Sequence, residues 1–516
     1  MKQILYLAFC AMLAACSLEE NPRDQISEEE AYATPELLYQ NTVATLYNYI
    51  GGCEDGQGLQ GTCRGIYDLQ TFGSDEAILP TRGIDWYDGG IWQDLYRHSW
   101  SAGHPLLNNS WLYLYKVITL CNRSIEQLEA HQDMLDPKVQ VIYTAEVQAL
   151  RAICYWYLLD LFGRVPILTS TQTSKNDVKQ SERNDVFNFV ESELRSACVH
   201  LHAGRSAHHG DYYGRVTLPV AFFVLAKLML NAEVYTGSPR WDDCIEFCDR
   251  IESFGYRLED DYATNFSVHN ETSMENIWVI PMNRELYRNL QQNVIRSLHY
   301  RHAAIYGYGS ENGSCATPRV MEIFGYGTEN KDKRLDLNYW TDIVEDRHYG
   351  LATDRTGAPL VYYPLVVEMD ISGSPYVETA GARMRKYEID KNALKSGQLV
   401  ENDIVLFRYA DVLLMRAEAK FRSGKDGQDD FDAVRRRADM PSRPITLQNL
   451  LDERLLELCW EGWRRQDLIR FNQYESLFQG DNFYAKVDES DGHTCLFPIP
   501  AAEIALNHNL EQNKGY

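Results

Sequence analysis

Beyond residue 13 the chain has no long uninterrupted apolar run, so nothing past its first residues is a candidate membrane span. Basic charge is also scarce. Lys and Arg number 50 against 74 Asp and Glu, for a formal net charge of −24, and no long basic run interrupts that balance. This excludes nucleic acid as a partner, and docking on anionic lipid through a basic patch. No G-x-S-x-G, Walker A, H-E-x-x-H or C-x-x-C array is present, which removes the common signatures of nucleophilic, phosphoryl-transfer and zinc chemistry. Gly307-Tyr308-Gly309-Ser310-Glu311-Asn312-Gly313 imitates a dinucleotide fingerprint, but it has one residue too many before its last Gly and no βαβ setting. Nothing in the chain calls for a cofactor.

Twelve cysteines do not make a disulfide framework. Cys121, Cys154, Cys244, Cys248 and Cys459 fall inside helical patterns, where a free cysteine is a small core hydrophobe. Cys53 and Cys63 bracket a Gly-rich loop, Gly51-Gly52-Cys53 to Gly61-Thr62-Cys63, and either a bridge or two thiols fits there. His200, His202, His208 and His209 crowd one segment, yet their spacing matches no zinc pattern and reads as a loop leaving a helix.

What is present begins with an export signal. Lys2 precedes an uncharged apolar stretch, Ile4 to Leu13, of about ten residues, too short to span a bilayer. It ends in Leu13-Ala14-Ala15-Cys16, which resembles a bacterial lipobox, so Cys16 is expected to carry lipid after cleavage of residues 1–15. Several acyl chains on one cysteine anchor stably, where a single chain binds marginally. The acidic residues after it, in Ser17-Leu18-Glu19-Glu20-Asn21, resemble a surface-export signal of Bacteroidetes lipoproteins. The expected location is the outer membrane, facing the cell exterior.

The remainder is dominated by helical periodicity. Val147, Leu150, Cys154, Tyr157, Leu158 and Leu161 form one stripe over 146–162, ended by Gly163 with Pro166 beyond. A second stripe predicts a helix over 404–421, and further helices are expected over 36–50, 110–131, 183–202, 217–236, 240–254, 446–460 and 463–474. Short turns join many of them, so the expected fold is mainly α, with tetratricopeptide-like helical hairpins. Residues 51–109 and 256–400 differ: they are rich in Gly, Tyr, Trp, Asn and Asp, with short strand-like pieces such as Ile277-Trp278-Val279-Ile280. Loops this long are usually functional. The expected layout is a signal at 1–15, a lipid-anchored tail at 16–35, a helical region at 36–255, and a region at 256–516 that carries ligand-face loops and closing helices.

Seven segments together carry a family resemblance: the Asp75-Glu76 segment, Trp111 to Asn122, Glu146 to Pro166, Asn276 to Pro281, Arg408 to Ala419, Glu453 to Arg470, and a tail of Phe497-Pro498-Ile499-Pro500, Glu503-Ile504, Asn509-Leu510 and Gly515-Tyr516. In this order behind a lipobox, they resemble the SusD/RagB family of Bacteroidetes glycan-binding lipoproteins. His508 departs from the Pro that the family more often has there. The resemblance implies a helical scaffold with an elaborated ligand face, seated on a SusC-like TonB-dependent transporter and binding oligosaccharide without cleaving it. Some family members serve peptide import instead.

Sugars present polar edges and apolar C–H faces, so a site for them needs flat rings beside carboxylates, amides or guanidinium groups. One loop supplies that mixture in Asp75, Arg82, Asp85, Trp86, Tyr87 and Trp92. A second supplies Tyr306, Tyr308 and Asn312. The competing reading is that these rings pack the loops onto the scaffold. Glu453, Glu457 and Glu461, spaced by four, share a helix face and raise the rival idea of a glycosidase. Arg454, Arg464, Arg465, Asp467 and Arg470 interleave with them, and a structural charge network is the expectation.

Overall fold

A computed structural model describes residues 27–52, 56–206, 210–284, 292–393, 400–475 and 489–516. The expected signal peptide, Cys16, Cys53, His208 and His209 lie outside the described residues.

The fold is mainly α. Helices Pro105–Ala130, Pro137–Leu161 and Arg183–Ala197 pack in sequence, as do Leu218–Leu230, Trp241–Glu252, Tyr409–Arg422 and Gln428–Arg437. Most of these pairs are neighbours in the chain, as expected of helical hairpins, whereas Trp241–Glu252 and Tyr409–Arg422 come together from distant parts of the sequence. Pro105 and Pro137 open their helices in the first turn, where the missing N–H is no loss. At the centre, Pro219 to Leu230 are buried without a break, so this helix has no solvent face. Its one charge, Lys227, pairs with Asp411 at 2.7 Å and lies 4.1 Å from the Trp463 ring centre.

Several helix bounds differ from the periodicity, and three of the differences bear on the site and its scaffold. The apolar run expected to start a helix at 404 is instead the strand Ile404–Arg408, antiparallel to Asn276–Ile280 with Ile404 opposite Ile280. All five of its residues are buried, and a strand covered on both faces shows no alternation to set it apart from a helix. The 36–50 helix is interrupted by a π-helical segment, Gln40–Ala44. The helix expected over 446–460 ends at Leu458, so Glu461 lies in the turn before Arg464–Arg470.

The remaining strands are two-residue pairs within the loop regions. A large apolar core extends from Tyr32 to Leu510 and includes residues of both loops and helices, and a second, small one gathers Ile78, Tyr96, Cys315, Val367 and Met369 in the loop region. The C-terminal tail closes it: the Asn513 amide donates to the carbonyls of Phe162 and Phe497, each at 2.8 Å, and Trp100 donates to the Tyr516 hydroxyl at 2.9 Å.

Candidate functional site

The 81–87 loop is fastened before it turns outward. Thr81 exchanges backbone hydrogen bonds with Met369 and Ile371, and the Gly83 amide donates to Ser372 Oγ at 3.1 Å. Arg82 and Asp85 exchange backbone hydrogen bonds across a tight turn, with Gly83 at φ +71°. The Arg82 guanidinium points inward, donating to the carbonyls of Gly313, Val377 and Ala380 at 3.0–3.2 Å. Among the described residues it has no carboxylate partner, and burial pushes its pKa down to about 9. Arg82 is therefore the pin of the loop rather than its ligand edge.

Beyond that pin the side chains face water. Ile84 is 97% exposed and Tyr87 55%. Trp86 is half-buried at φ +62°, a left-handed conformation that a bulky residue adopts at a cost of about 1–3 kcal/mol. It is held there by a hydrogen bond from its indole N–H to the Glu311 carbonyl, 2.9 Å, and its ring lies against Gly313. Strained, fastened loops of this kind cluster at ligand sites. Asp85 accepts from the Tyr300 hydroxyl at 3.0 Å, and burial with that bond lifts the phenol to about 12.

The sequence reading missed Tyr300, Tyr363 and Tyr376. Tyr363 and Tyr376 pack edge-on at 4.7 Å beside exposed Leu365 and Val366, on the segment that the Arg82 pin holds. Glu378 joins them, paired with Arg355 at 2.9 Å and hydrogen-bonded to His299 at 3.1 Å. Burial pushes His299 down to about 4, so it is neutral at physiological pH. Tyr-Tyr-Pro at 362–364 and Ser-Pro-Tyr at 374–376 have the same loop texture as the chosen segments and were the available signal.

Several expected contact residues are placed inside the scaffold. The Asp75 carboxylate is fully buried and takes both prongs of Arg464, at 2.6 and 2.9 Å. Trp92 is 1% exposed and donates to Asp88 at 2.8 Å. Asn312 is buried at φ +47°. Tyr306 is mostly buried, donating to Asp346 at 3.2 Å, and Tyr308 is half-buried against the core. For these residues the competing reading, packing of the loop onto the scaffold, describes the placement: a pinned loop turns some rings inward to be held.

The acidic ridge is also interior. Glu453, Glu457 and Glu461 are 0–2% exposed. Glu453 pairs with Arg334 and Arg435, Glu457 with Arg334, Arg408 and Arg437, and Glu461 with Lys386 and Arg408. The partners come from distant segments, not from the interleaved arginines of the sequence reading. Arg454 bonds instead to Asp411 and Asp467, and Arg470 to Glu418 and Asp467. Carboxylates locked this way reach no substrate. Cys63 meets Arg296 at 3.1 Å, and His202 stacks on Tyr212 at 3.9 Å.

Comparison with known proteins agrees with this architecture. Residues 275–516 match the family model described as "SusD family", and residues 81–228 match a second, "Starch-binding associating with outer membrane". The starch-binding protein SusD of Bacteroides thetaiotaomicron is 26% identical over 500 residues, covering 90% of this chain and 87% of its own length. A SusD-like protein of Bacteroides ovatus is 24% identical, covering 92% and 83%. Among solved structures, surface glycan-binding protein A from Bacteroides thetaiotaomicron, in complex with laminarihexaose, superposes with a TM-score of 0.74 at 19% identity, over 93% of this chain and 99% of its own. A laminarin-binding SusD-like protein gives 0.72 at 22% identity, over 94% and 100%. Two family models that together span most of the chain, relatives aligned end to end and a shared fold lead to one conclusion: the chain belongs to the SusD family.

Proposed function

We propose that this protein captures an oligosaccharide at the cell surface and delivers it to a SusC-like TonB-dependent transporter, with no chemistry of its own. The observation that carries this reading is the pinned loop face. Tyr87, Trp86, Tyr300, Tyr363 and Tyr376 offer ring surfaces, with Asp85, Glu378 and Arg355 beside them for hydroxyl groups. A rigid face loses little entropy on binding. The starch and laminarihexaose named for its relatives are the same class of ligand. The burial of the three ridge carboxylates in ion pairs speaks against a glycosidase. Cys16 remains the proposed lipid attachment point, holding the protein on the outer membrane and facing outward.

The test is calorimetric titration of the purified chain, lacking residues 1–16, with glucan oligosaccharides and product analysis after long incubation. Binding without new reducing ends is the expected result. Cleavage products would return the hydrolase reading. Binding of peptides and of no glycan would move the chain to peptide import.

A further inference from the structure

The 306–308 loop has a second side. Tyr306 packs edge-on against Tyr349 at 4.8 Å and donates to Asp346. Both of these partners line a cavity of ≈ 430 Å³ that also includes Trp340, Arg385, His348 and Lys391. The cavity has a flat cationic wall. Trp340 is 6% exposed; His302 stands edge-on to it at 4.8 Å, and the Arg385 guanidinium lies 4.0 Å from its ring centre. The indole therefore offers the cavity little surface of its own and serves as the bed for an exposed arginine. Lys391, also exposed, stands 5.9 Å from the Tyr349 ring centre.

The hydrogen-bonding balance of this cavity is one-sided. Among the described residues, neither the Arg385 guanidinium nor the Lys391 ammonium has an ion pair or a hydrogen bond. The carboxylate acceptors are at least partly engaged. Asp346 takes the Tyr306 hydroxyl and the amides of His348 and Tyr349, at 2.7 and 3.0 Å. Asp261 caps the Ala263 amide and Glu388 takes the Val268 amide, each at 2.9 Å. With these carboxylates in its lining, the cavity is no general sink for anions. Selection there rests on directed donors, and a guanidinium fork seated over a ring matches a carboxylate or sulfate in two-pronged fashion.

We propose that this cavity is a separate subsite for an acidic sugar residue, with Arg385 and Lys391 taking its carboxylate or sulfate and Tyr349 meeting its ring face. The proposal rests on the glycan reading above and narrows it to acid-bearing glycans. A chain of net charge −24 repels such ligands at long range, which makes a directed cationic fork the means by which one could be held.

The test titrates the wild-type protein and the R385Q/K391Q variant with three tetrasaccharides: an unsubstituted hexose chain, a hexuronic acid chain and an O-sulfated hexose chain. The wild type should bind at least one acidic chain about tenfold more tightly than the neutral one. That preference should weaken as salt is raised, and uronide against sulfate identifies the anion. The variant should lose the preference, keep the wild-type melting temperature, and bind the neutral chain unchanged through the Tyr87 face. Equal affinity for all three chains overturns the subsite while leaving the glycan reading in place. An acidic preference that survives the double substitution overturns it too, and binding to none of the three removes both.

Discussion

Gly313 shows how one missing side chain shapes the proposed ligand face. A Cβ there would lie 2.6 Å from Trp86 Cε2, closer than any real contact. Gly313→Ala should therefore push the indole off its seat, red-shift tryptophan fluorescence and weaken glycan binding, with little change in helical circular dichroism. Tyr87→Ala probes the face without that disturbance, because Tyr87 is 55% exposed. It should weaken oligosaccharide binding by about 1–2 kcal/mol, roughly five- to thirtyfold in Kd, at an unchanged melting temperature. Normal binding by this variant would move the site elsewhere. Glu76 is a residue of another kind. Burial lifts its carboxyl from 4.5 to about 8, although the Trp460 amide donates to it. A folded-state pKa above the unfolded one adds stability that is complete below about pH 4.5 and is lost as pH rises towards 8. Glu76→Gln has no proton to lose. Its melting temperature relative to wild type should climb between pH 4.5 and 8 and level off above, and a constant difference across that range would refute the assignment.

At the scale of elements, the loops and helices are joined by buried charge. Arg408 ends the strand Ile404–Arg408 and reaches Glu275 at 2.7 Å, Glu457 at 2.6 Å and Glu461 at 2.8 Å, all of them 0–2% exposed. It thereby ties the strand pair to the 447–458 helix and to the turn after it. Removing one member of such a cluster leaves carboxylates buried and under-compensated. Arg408→Met, close in length, should cost about 3–5 kcal/mol in a urea titration. A near-neutral result would mean that Arg334, Arg437 and Lys386 are able to carry the cluster alone. The arginine that pins the ligand face is built differently, since Arg82 is satisfied by three carbonyls and no carboxylate. A guanidinium fastened by backbone groups registers loops without drawing a second charge into the site.

For the whole molecule, a large core from Tyr32 to Leu510 joins loops to the helical scaffold, and a small second core of Ile78, Tyr96, Cys315, Val367 and Met369 lies beneath the loop face. Among the described residues no helix is long and apolar enough to cross a membrane. Retention on the outer membrane therefore depends, in our reading, on lipid at Cys16. Cys16→Ser should appear in the soluble or unprocessed fraction, and wild-type retention after a high-salt wash would rule out the anchor. Delivery of a bulky glycan also needs a barrel. Gentle solubilisation and a pull-down through a tag at Tyr516 should recover a TonB-dependent transporter, with an interface of about 2,000 Å² or more. Recovery of this chain alone, even with cross-linking, would leave a free-standing surface binder.

Helical periodicity over 110–131, 146–162 and 183–202 was legible, within helices that run Pro105–Ala130, Pro137–Leu161 and Arg183–Ala197, because a helix with one buried face writes that face into its own residues every three or four positions. The family segments and the Gly- and Tyr-rich texture of the loops could be read for the same local reason. The strand at 404–408 could not, because burial on both faces removes its periodicity. Nor could the sequence tell which aromatics of one loop face out. Trp92 and Tyr87 lie five residues apart in similar surroundings, yet one is 1% and the other 55% exposed. That division depends on Arg82 meeting carbonyls about 230 to 300 residues away, and on carboxylates finding arginines from other hairpins. Contacts at such separations leave no period in the chain, so only the tertiary structure decided them.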